Sequence, residues 1–190
     1  MTTPTMPRWI DYIPLDDLKP DPRNPKRHDE GGLDASLERF EYTEPVMLDE
    51  RTGMLVAGHG RRDLVVRSRD EGKDPPDGIV VDAEGRWLIP VSRGWSSKND
   101  DEAYAYLIAS NRWVEKGGWD DDLLVEGLKA LEATEAGLDG VGYVSDDVNL
   151  LLAQMAKRNP TAPAEFPEFG DDISTEHHCP RCGYEWSGQA

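Results

Sequence analysis

The tract that most constrains this chain is Val56-Ala57-Gly58-His59-Gly60-Arg61-Arg62-Asp63-Leu64-Val65-Val66. An apolar run starting at Met54 ends at Ala57, and Gly-His-Gly-Arg follows without a spacer. A helical pattern then begins, burying Leu64 and Val65 and continuing to about Asp70. Strand, tight glycine turn and helix start thus meet in one place. Such a turn exposes backbone N–H groups that favour an anion such as a phosphate. Gly58, Gly60, Arg61 and Arg62 are the candidate phosphate-binding residues, the arginines as charge-assisted donors. His59 can donate, accept or exchange a proton near neutral pH, which makes His59 and Arg61 the candidate catalytic pair. The plainer alternative is a turn whose glycines answer a steric need and whose His59 and arginines face water.

Around this tract the pattern reads as an α/β domain followed by helices. Ile10, Ile13 and Leu15 mark a first strand or extended segment. Three prolines within 19–28 prevent a helix and leave an ordered loop or arm, basic through Lys19, Arg23, Lys26 and Arg27. Leu33, Leu37 and Phe40 form one apolar stripe on a short helix. Residues 45–48 and Met54–Ala57 read as strands joined by a turn, and 79–81 with 87–91 as a hairpin. Asn99 or Asp100 caps a helix running to about Val114 and presenting Tyr104, Leu107, Ile108 and Asn111, stopped by Gly117-Gly118. Asp120 opens the next helix, where Asp120, Asp121 and Asp122 make a favourable acidic first turn. A last helix from about Asp146 buries Val148, Leu151, Leu152 and Met155. Trp87, Trp95, Trp113 and Trp119 lie beside strands and helix ends, where large rings fill gaps in a small core.

Charge narrows the function classes. The 190 residues carry 21 Lys and Arg against 38 Asp and Glu, a formal net charge of −17. Long-range repulsion excludes a wholly basic DNA-coating protein and leaves room only for a local, salt-sensitive DNA contact. Residues 56–73 hold five basic and three acidic side chains, net +2, whereas 115–147 hold two basic and ten acidic, net −8. No apolar run is long enough to span a membrane, and residues 1–14 lack the apolar core of a secretory signal. A soluble, intracellular protein is expected.

The two cysteines, Cys179 and Cys182, form a CxxC pair rather than a disulfide framework. In His177-His178-Cys179-Pro180-Arg181-Cys182-Gly183 the Cys-Pro-x-Cys-Gly turn reads as a zinc knuckle, two thiolates converging on one ion. His177 or His178 can supply a further ligand, and another chain or a distant residue the last. The alternative is a redox-inert pair in a tail. The expected organisation is a flexible start over 1–7, an α/β domain over 8–115, a helical extension over 116–158, an acidic linker over 159–176 and the zinc-knuckle-like tail over 177–190. Linker and tail together are a candidate surface for a protein partner.

A family resemblance rests on the order of motifs. Residues 13–28, the helix around Leu33 to Phe40, Pro45-Val46-Met47-Leu48-Asp49, Ala57-Gly58-His59-Gly60-Arg61-Arg62-Asp63-Leu64-Val65 and the tract 89–95 follow one another. This order resembles the ParB/sulfiredoxin fold in its ParB-like nuclease (ParB N-terminal) domain form, as found in bacteriophage proteins. The resemblance covers about the first 115 residues and extends more loosely to about Lys157. It implies a small mixed sheet with helices and a nucleoside triphosphate at the glycine turn. Gly58 and Arg61 match both branches of the family. His59 stands where the partitioning proteins carry an acidic residue and the sulfiredoxins their cysteine, so sulfiredoxin chemistry lacks its nucleophile. Asn111 matches the asparagine of a Glu-Asn pair, but Ser110 replaces the glutamate and weakens metal coordination and hydrolysis.

The resemblance also places the arm beside the nucleotide, with Asn24 at a base or ribose edge and Arg23 or Arg27 at phosphate. His28 and His59 could bracket a divalent metal, and Arg93 beside Trp95 is a candidate base contact. The implied function is a phage or mobile-element protein of DNA metabolism in a bacterial cytoplasm, binding a nucleotide or nucleic-acid phosphate, with a homodimer among the expected states. A metal-dependent nuclease using magnesium or manganese is one alternative. A non-enzymatic adaptor carrying a zinc knuckle is the other.

Overall fold

The structure, a computed structural model, describes residues 7–158 and 176–186. The chain divides into two compact units, 1–155 and 156–190, each taken by itself below. Apart from Pro7 and Glu176, the expected flexible start and acidic linker lie outside the described residues.

A mixed six-stranded sheet is organised around β6 (Trp87–Trp95). Along one side of it runs β1 (Trp9–Pro14), antiparallel, with Trp9 opposite Arg93 and Pro14 opposite Leu88. On the other side β6 changes neighbours. It pairs antiparallel with β5 (Val80–Val81) at Trp87 and Leu88, then parallel with β3 (Val46–Asp49) from Val91 onward. Pro90, which has no N–H to give to a ladder, lies between these two pairings. A hairpin joins β3 to the antiparallel β4 (Met54–Ala57), and β2 (Lys19–Pro20), part of the proline-rich arm, closes the far edge parallel to β4.

Helices cover this sheet where the sequence supplies apolar spacing. In α2 (His59–Asp70) Leu64 and Val65 are buried, and α1 (Glu30–Phe40) packs against it while Leu37 reaches the core. The centre of the core is Val46, Leu55, Val65, Ile89 and Val91, all fully buried, with Leu15 and Leu18 from the turn between β1 and β2. α3 (Asp100–Gly117) buries Ala103 and Leu107 and packs against β4. α4 (Asp121–Glu132) and α5 (Ser145–Arg158) bury Val125, Leu128 and Val148. Side-chain carboxylate or amide oxygens of Asp29, Asn99 and Asp120 accept N–H groups at the starts of α1, α3 and α4, so Asn99 is the cap of α3.

Some expectations fail for identifiable reasons. Phe40 is 44% exposed, because α1 ends there and Arg39 lies over its ring. Trp113, in the last turns of α3, and Trp119, between α3 and α4, are 70% and 72% exposed, so neither fills a core gap. Helix α3 stops at Gly118, which takes a positive φ of 65°. In α5 only Val148 is fully buried, with Leu151, Leu152 and Met155 partly so. No helix among the described residues is long and apolar enough to cross a membrane.

Asp49 ties the edges of this architecture together. Its fully buried carboxylate accepts from the Ser97 N–H at 2.8 Å, the Ser97 hydroxyl at 2.7 Å, the Thr52 hydroxyl at 2.9 Å and the Arg51 N–H at 3.2 Å. Burial pushes this carboxyl up, and the Ser97, Thr52 and Arg51 donors more than reverse that, leaving it below its ordinary 3.8. A carboxyl lowered in the folded state stabilises fully above its unfolded value and loses that contribution as pH falls through the folded one. Urea midpoints of the native protein are therefore expected to hold down to about pH 4 and fall below it. Asp49→Asn should flatten that acid limb and lower stability at pH 7 by about 1–3 kcal/mol. An unchanged limb in the variant would assign the acid response elsewhere.

The second unit contains a short hairpin, β7 (His177–His178) antiparallel to β8 (Glu185–Trp186). Between them the Cys179 N–H donates to the Tyr184 carbonyl at 2.8 Å and the Gly183 N–H to the Cys179 carbonyl at 2.9 Å. Gly183 takes the left-handed φ of 75° that this reversal requires.

Candidate functional site

The strand-to-helix turn comes out as the sequence indicates. β4 ends at Ala57, Gly58 takes φ 88° as the N-cap of α2, and no side chain caps the helix. The Arg62 N–H is the first to find a turn partner, at the Gly58 carbonyl, which leaves the preceding N–H groups for another acceptor. Both glycines also meet a steric need. A Cβ on Gly58 would stand 2.7 Å from Val46 Cγ1, and one on Gly60 2.8 Å from the His28 ring. The functional and the steric readings of this turn are therefore compatible.

A cavity of about 590 Å³ opens against the turn. Gly58, Gly60, Arg61, His28 and Asn111 lie on its wall, with Tyr42, Glu44 and Ser110. Leu33, Leu37, Leu64 and Val114 give it an apolar side. Arg61 pairs with Glu44 across the cavity wall, and burial pulls its guanidinium below the ordinary value. Tyr42 is 6% exposed, and its hydroxyl has no partner among the described residues. Burial pushes that phenol up to about 12, the nearby Arg61 charge acting against the shift. A desolvated guanidinium and an uncapped helix start thus share one space, and a buried donor without an acceptor among the described residues, the Tyr42 hydroxyl, belongs to a residue of its wall. Each of the three is relieved by an anion.

Glu41 fixes this corner. It is the non-glycine residue with a positive φ, 60°, among those described, and its carboxylate accepts the Asp77 N–H at 2.9 Å. The Tyr42 N–H donates to the Asp77 carbonyl at 2.9 Å, so the turn that carries Tyr42 is clamped from both sides.

Other candidates lie elsewhere. His59 is buried and absent from the cavity wall; its Nε2 accepts the Asp21 N–H at 3.1 Å. That bond occupies the lone pair a general base would use and puts the ring proton on Nδ1. Burial lowers the pKa of His59, against the pull of Asp63 and Asp21, and keeps it neutral. Arg23 forks onto Asp21 through Nε at 3.0 Å and Nη2 at 2.7 Å and lies over the Tyr104 ring. The Asn24 side chain accepts the Lys26 N–H at 3.2 Å, the geometry of a stiff loop. Arg27 is exposed and does not line the cavity. Arg62 bonds Asp63 at 3.0 Å, with its buried Nε unpartnered among the described residues, and is likewise off the wall. Arg93 grips Glu50 by two bonds of 2.7 Å and Asp11 at 3.1 Å, and Trp95 beside it packs on Tyr106 at 4.6 Å. Asn111 and Ser110 both donate to the Leu107 carbonyl of their own helix.

Metal ligands are scarce. Among the described residues no group of three or more His, Cys, Asp or Glu could hold an ion. His28 lines the cavity and His59 Nε2 is taken by the Asp21 N–H, so although His28 is near enough to act on His59 the two do not present a joint ligand pair. In the tail, the backbone N–H of Arg181, then that of Cys182, hold the Cys179 thiol below its ordinary range, and both cysteines are free thiols. Sequence reasoning did not single out Tyr42 as a site residue; a lone tyrosine gives no signal until the cavity exists.

The fold is a mixed α/β sheet covered by helices, with an uncapped helix start facing a cavity. No protein-family model matches the chain, and no curated protein matches it. Among solved structures it is similar to the C-terminally truncated chromosome-partitioning protein ParB from Caulobacter crescentus, complexed with CTP-gamma-S. That similarity has 13% identity and a TM-score of 0.49, over 78% of this chain and 87% of the other. It is also similar to a Pnob8-like ParB-N domain, with 16% identity and a TM-score of 0.40, over 84% of this chain and 65% of that one. Both neighbours are ParB structures, the family whose N-terminal domain the motif order resembles.

Proposed function

We propose that the cavity at the start of α2 binds the phosphate of a nucleotide, a nucleoside triphosphate in the first instance. The observation that carries this is the convergence of the uncapped Gly58–Arg61 helix start and the desolvated Arg61 on one open space, with Tyr42 on its wall. The volume, about 590 Å³, suits a small ligand. In this reading the free N–H groups at the helix start and the Arg61 fork hold phosphate oxygens, the Tyr42 hydroxyl, buried in the free protein, turns toward the ligand to donate one further bond, and the apolar wall takes the base or sugar. Glu44 is the internal stand-in, holding Arg61 until an anion displaces it. His28, packed against Gly60, is the side chain of the arm that reaches the ligand.

A phosphate of single-stranded or frayed DNA would satisfy the same donors, and the net charge restricts any such contact to this local face. The setting in phage or mobile-element DNA metabolism rests on the motif order of residues 13–95. Cleavage finds less support: Glu44 is bound to Arg61, Glu41 to the Asp77 N–H, and His59 to the Asp21 N–H. An open cavity favours a ligand over the adaptor reading, for which a filled pocket would be expected, although its wall sets Glu41 and Glu44 beside Arg61 and leaves Arg27 off.

Calorimetry with CTP, ATP and GTP at fixed salt tests the proposal directly; no heat from any of them at millimolar concentration would remove the nucleotide reading. Tyr42→Phe provides a sharper check. Deleting an unpartnered buried hydroxyl should raise the stability of the free protein by about 1 kcal/mol, while affinity for the nucleotide falls by about as much. A variant that is more stable and binds equally well would take Tyr42 out of the site.

A further inference from the structure

The cysteine turn of the second unit is built for a metal yet supplies only half of a ligand set. Its two thiols are the only cysteines among the 190 residues. The hydrogen bonds from Cys179 to Tyr184 and from Gly183 to Cys179, with the positive φ of Gly183, fold Cys179-Pro180-Arg181-Cys182 into a closed reversal. Structural zinc is held by four ligands: all thiolates, three thiolates and an imidazole, or two of each. Each of the four histidines falls in the described residues, and none completes the set. The His177 ring packs on Trp186 with centroids 5.5 Å apart. His177 and His178 are successive residues of β7, so their side chains point to opposite faces and at most one can turn toward the thiols. His59 is buried on Asp21, and the His28 ring is lodged at Gly60.

We infer that Cys179 and Cys182 form one half of a tetrahedral zinc site completed by the same two thiolates of a second copy of this chain. The pairing satisfies the four-ligand demand with the softest donors the sequence has, through an identical pair related by a two-fold axis. Cys182 is exposed and Cys179 half-buried, so the turn is open to a second turn opposite it. Zinc would then act as the clasp of a dimer and leave the cavity at α2 unaltered.

The test uses the full chain, reduced and purified without chelator. Elemental analysis and light scattering are expected to give one zinc per two chains and a dimeric mass. A chelator should return the monomer, and added zinc should restore the dimer. Cys179→Ser should lose both zinc and dimer while its far-UV circular dichroism stays that of the parent. The double variant His177→Ala/His178→Ala should keep both. One zinc per monomer, loss of zinc in the histidine variant, or no uptake from added zinc would each overturn the inference. Should the mass stay dimeric after chelation, cobalt substitution decides. An all-thiolate spectrum at one cobalt per two chains supports the shared site, and a mixed thiolate–nitrogen spectrum overturns it.

Discussion

Replacing Arg61 by alanine is expected to weaken nucleoside triphosphate binding by roughly tenfold to a hundredfold, the worth of a hydrogen bond to a charged group at about 1.5–3 kcal/mol. The argument starts from what Arg61 does in the free protein. Its side chain is 31% exposed, partnered by a Glu44 that is 72% exposed. An ion pair of that kind stabilises little, because solvent screens it. Burial meanwhile pulls the guanidinium down, with Tyr42 acting against the shift, so its charge is held at a cost. Alanine should therefore leave the melting temperature nearly unchanged and act on binding. Arg61→Lys keeps the charge but loses the fork, and should fall between alanine and the parent. Glu44→Gln should do the reverse of Arg61→Ala, strengthening binding several-fold by removing the competing carboxylate. Titration calorimetry of the three variants at one ionic strength reads all these effects. Equal affinity for parent and Arg61→Ala would place the phosphate elsewhere; equal affinity for Glu44→Gln would mean that the ion pair does not compete.

How much of this was legible in the sequence depends on how local each cause is. The glycine turn was, because an apolar run, a residue needing positive φ and a helix start are neighbours in the chain. So were the starts of α3 and α4, where Asn99 proves to be the cap out of Asn99 or Asp100 and Asp120 caps the helix it was expected to open, each acting within three residues of itself. Asp49 was not: in sequence it closes a strand before a turn, and only the fold brings Ser97 onto it from 48 residues away. The same distance problem reversed the roles of His59 and Tyr42. A histidine between two glycines reads as exposed and reactive, yet helix α2 turns it inward onto the Asp21 backbone. A tyrosine after a broken helix reads as nothing in particular, yet it lies on the cavity wall with a buried hydroxyl that finds no partner among the described residues. Gly60 was legible as a glycine requirement but not for its neighbour, since the His28 ring comes from the far end of the arm.

Gly58→Ala should be the most damaging single substitution in the turn, lowering stability by about 2–5 kcal/mol. Two costs add. A φ of 88° is left-handed, which takes about 1–2 kcal/mol from a residue with a Cβ. That Cβ would lie 2.7 Å from Val46 Cγ1 and 3.1 Å from Val46 Cα, and overpacking a core costs about 1–3 kcal/mol more. Val46 cannot yield easily, because it is fully buried and its strand is held by β4 on one side and β6 on the other. For a chain of this length the melting temperature should fall by about 2–4 °C per kcal/mol. Two further glycines separate the terms. Gly53→Ala meets nothing within 4 Å at a φ of 66° and should show the backbone cost alone. Gly60→Ala has no positive φ and meets an exposed, movable His28 ring, so it should cost least in stability while disturbing the arm beside the cavity. Thermal melts should rank the losses Gly58 over Gly53 over Gly60. If Gly58→Ala melts with Gly53→Ala, Val46 gives way without cost. The turn would then be free to move relative to the core, and the fixed donor geometry that phosphate binding needs would not come from β3.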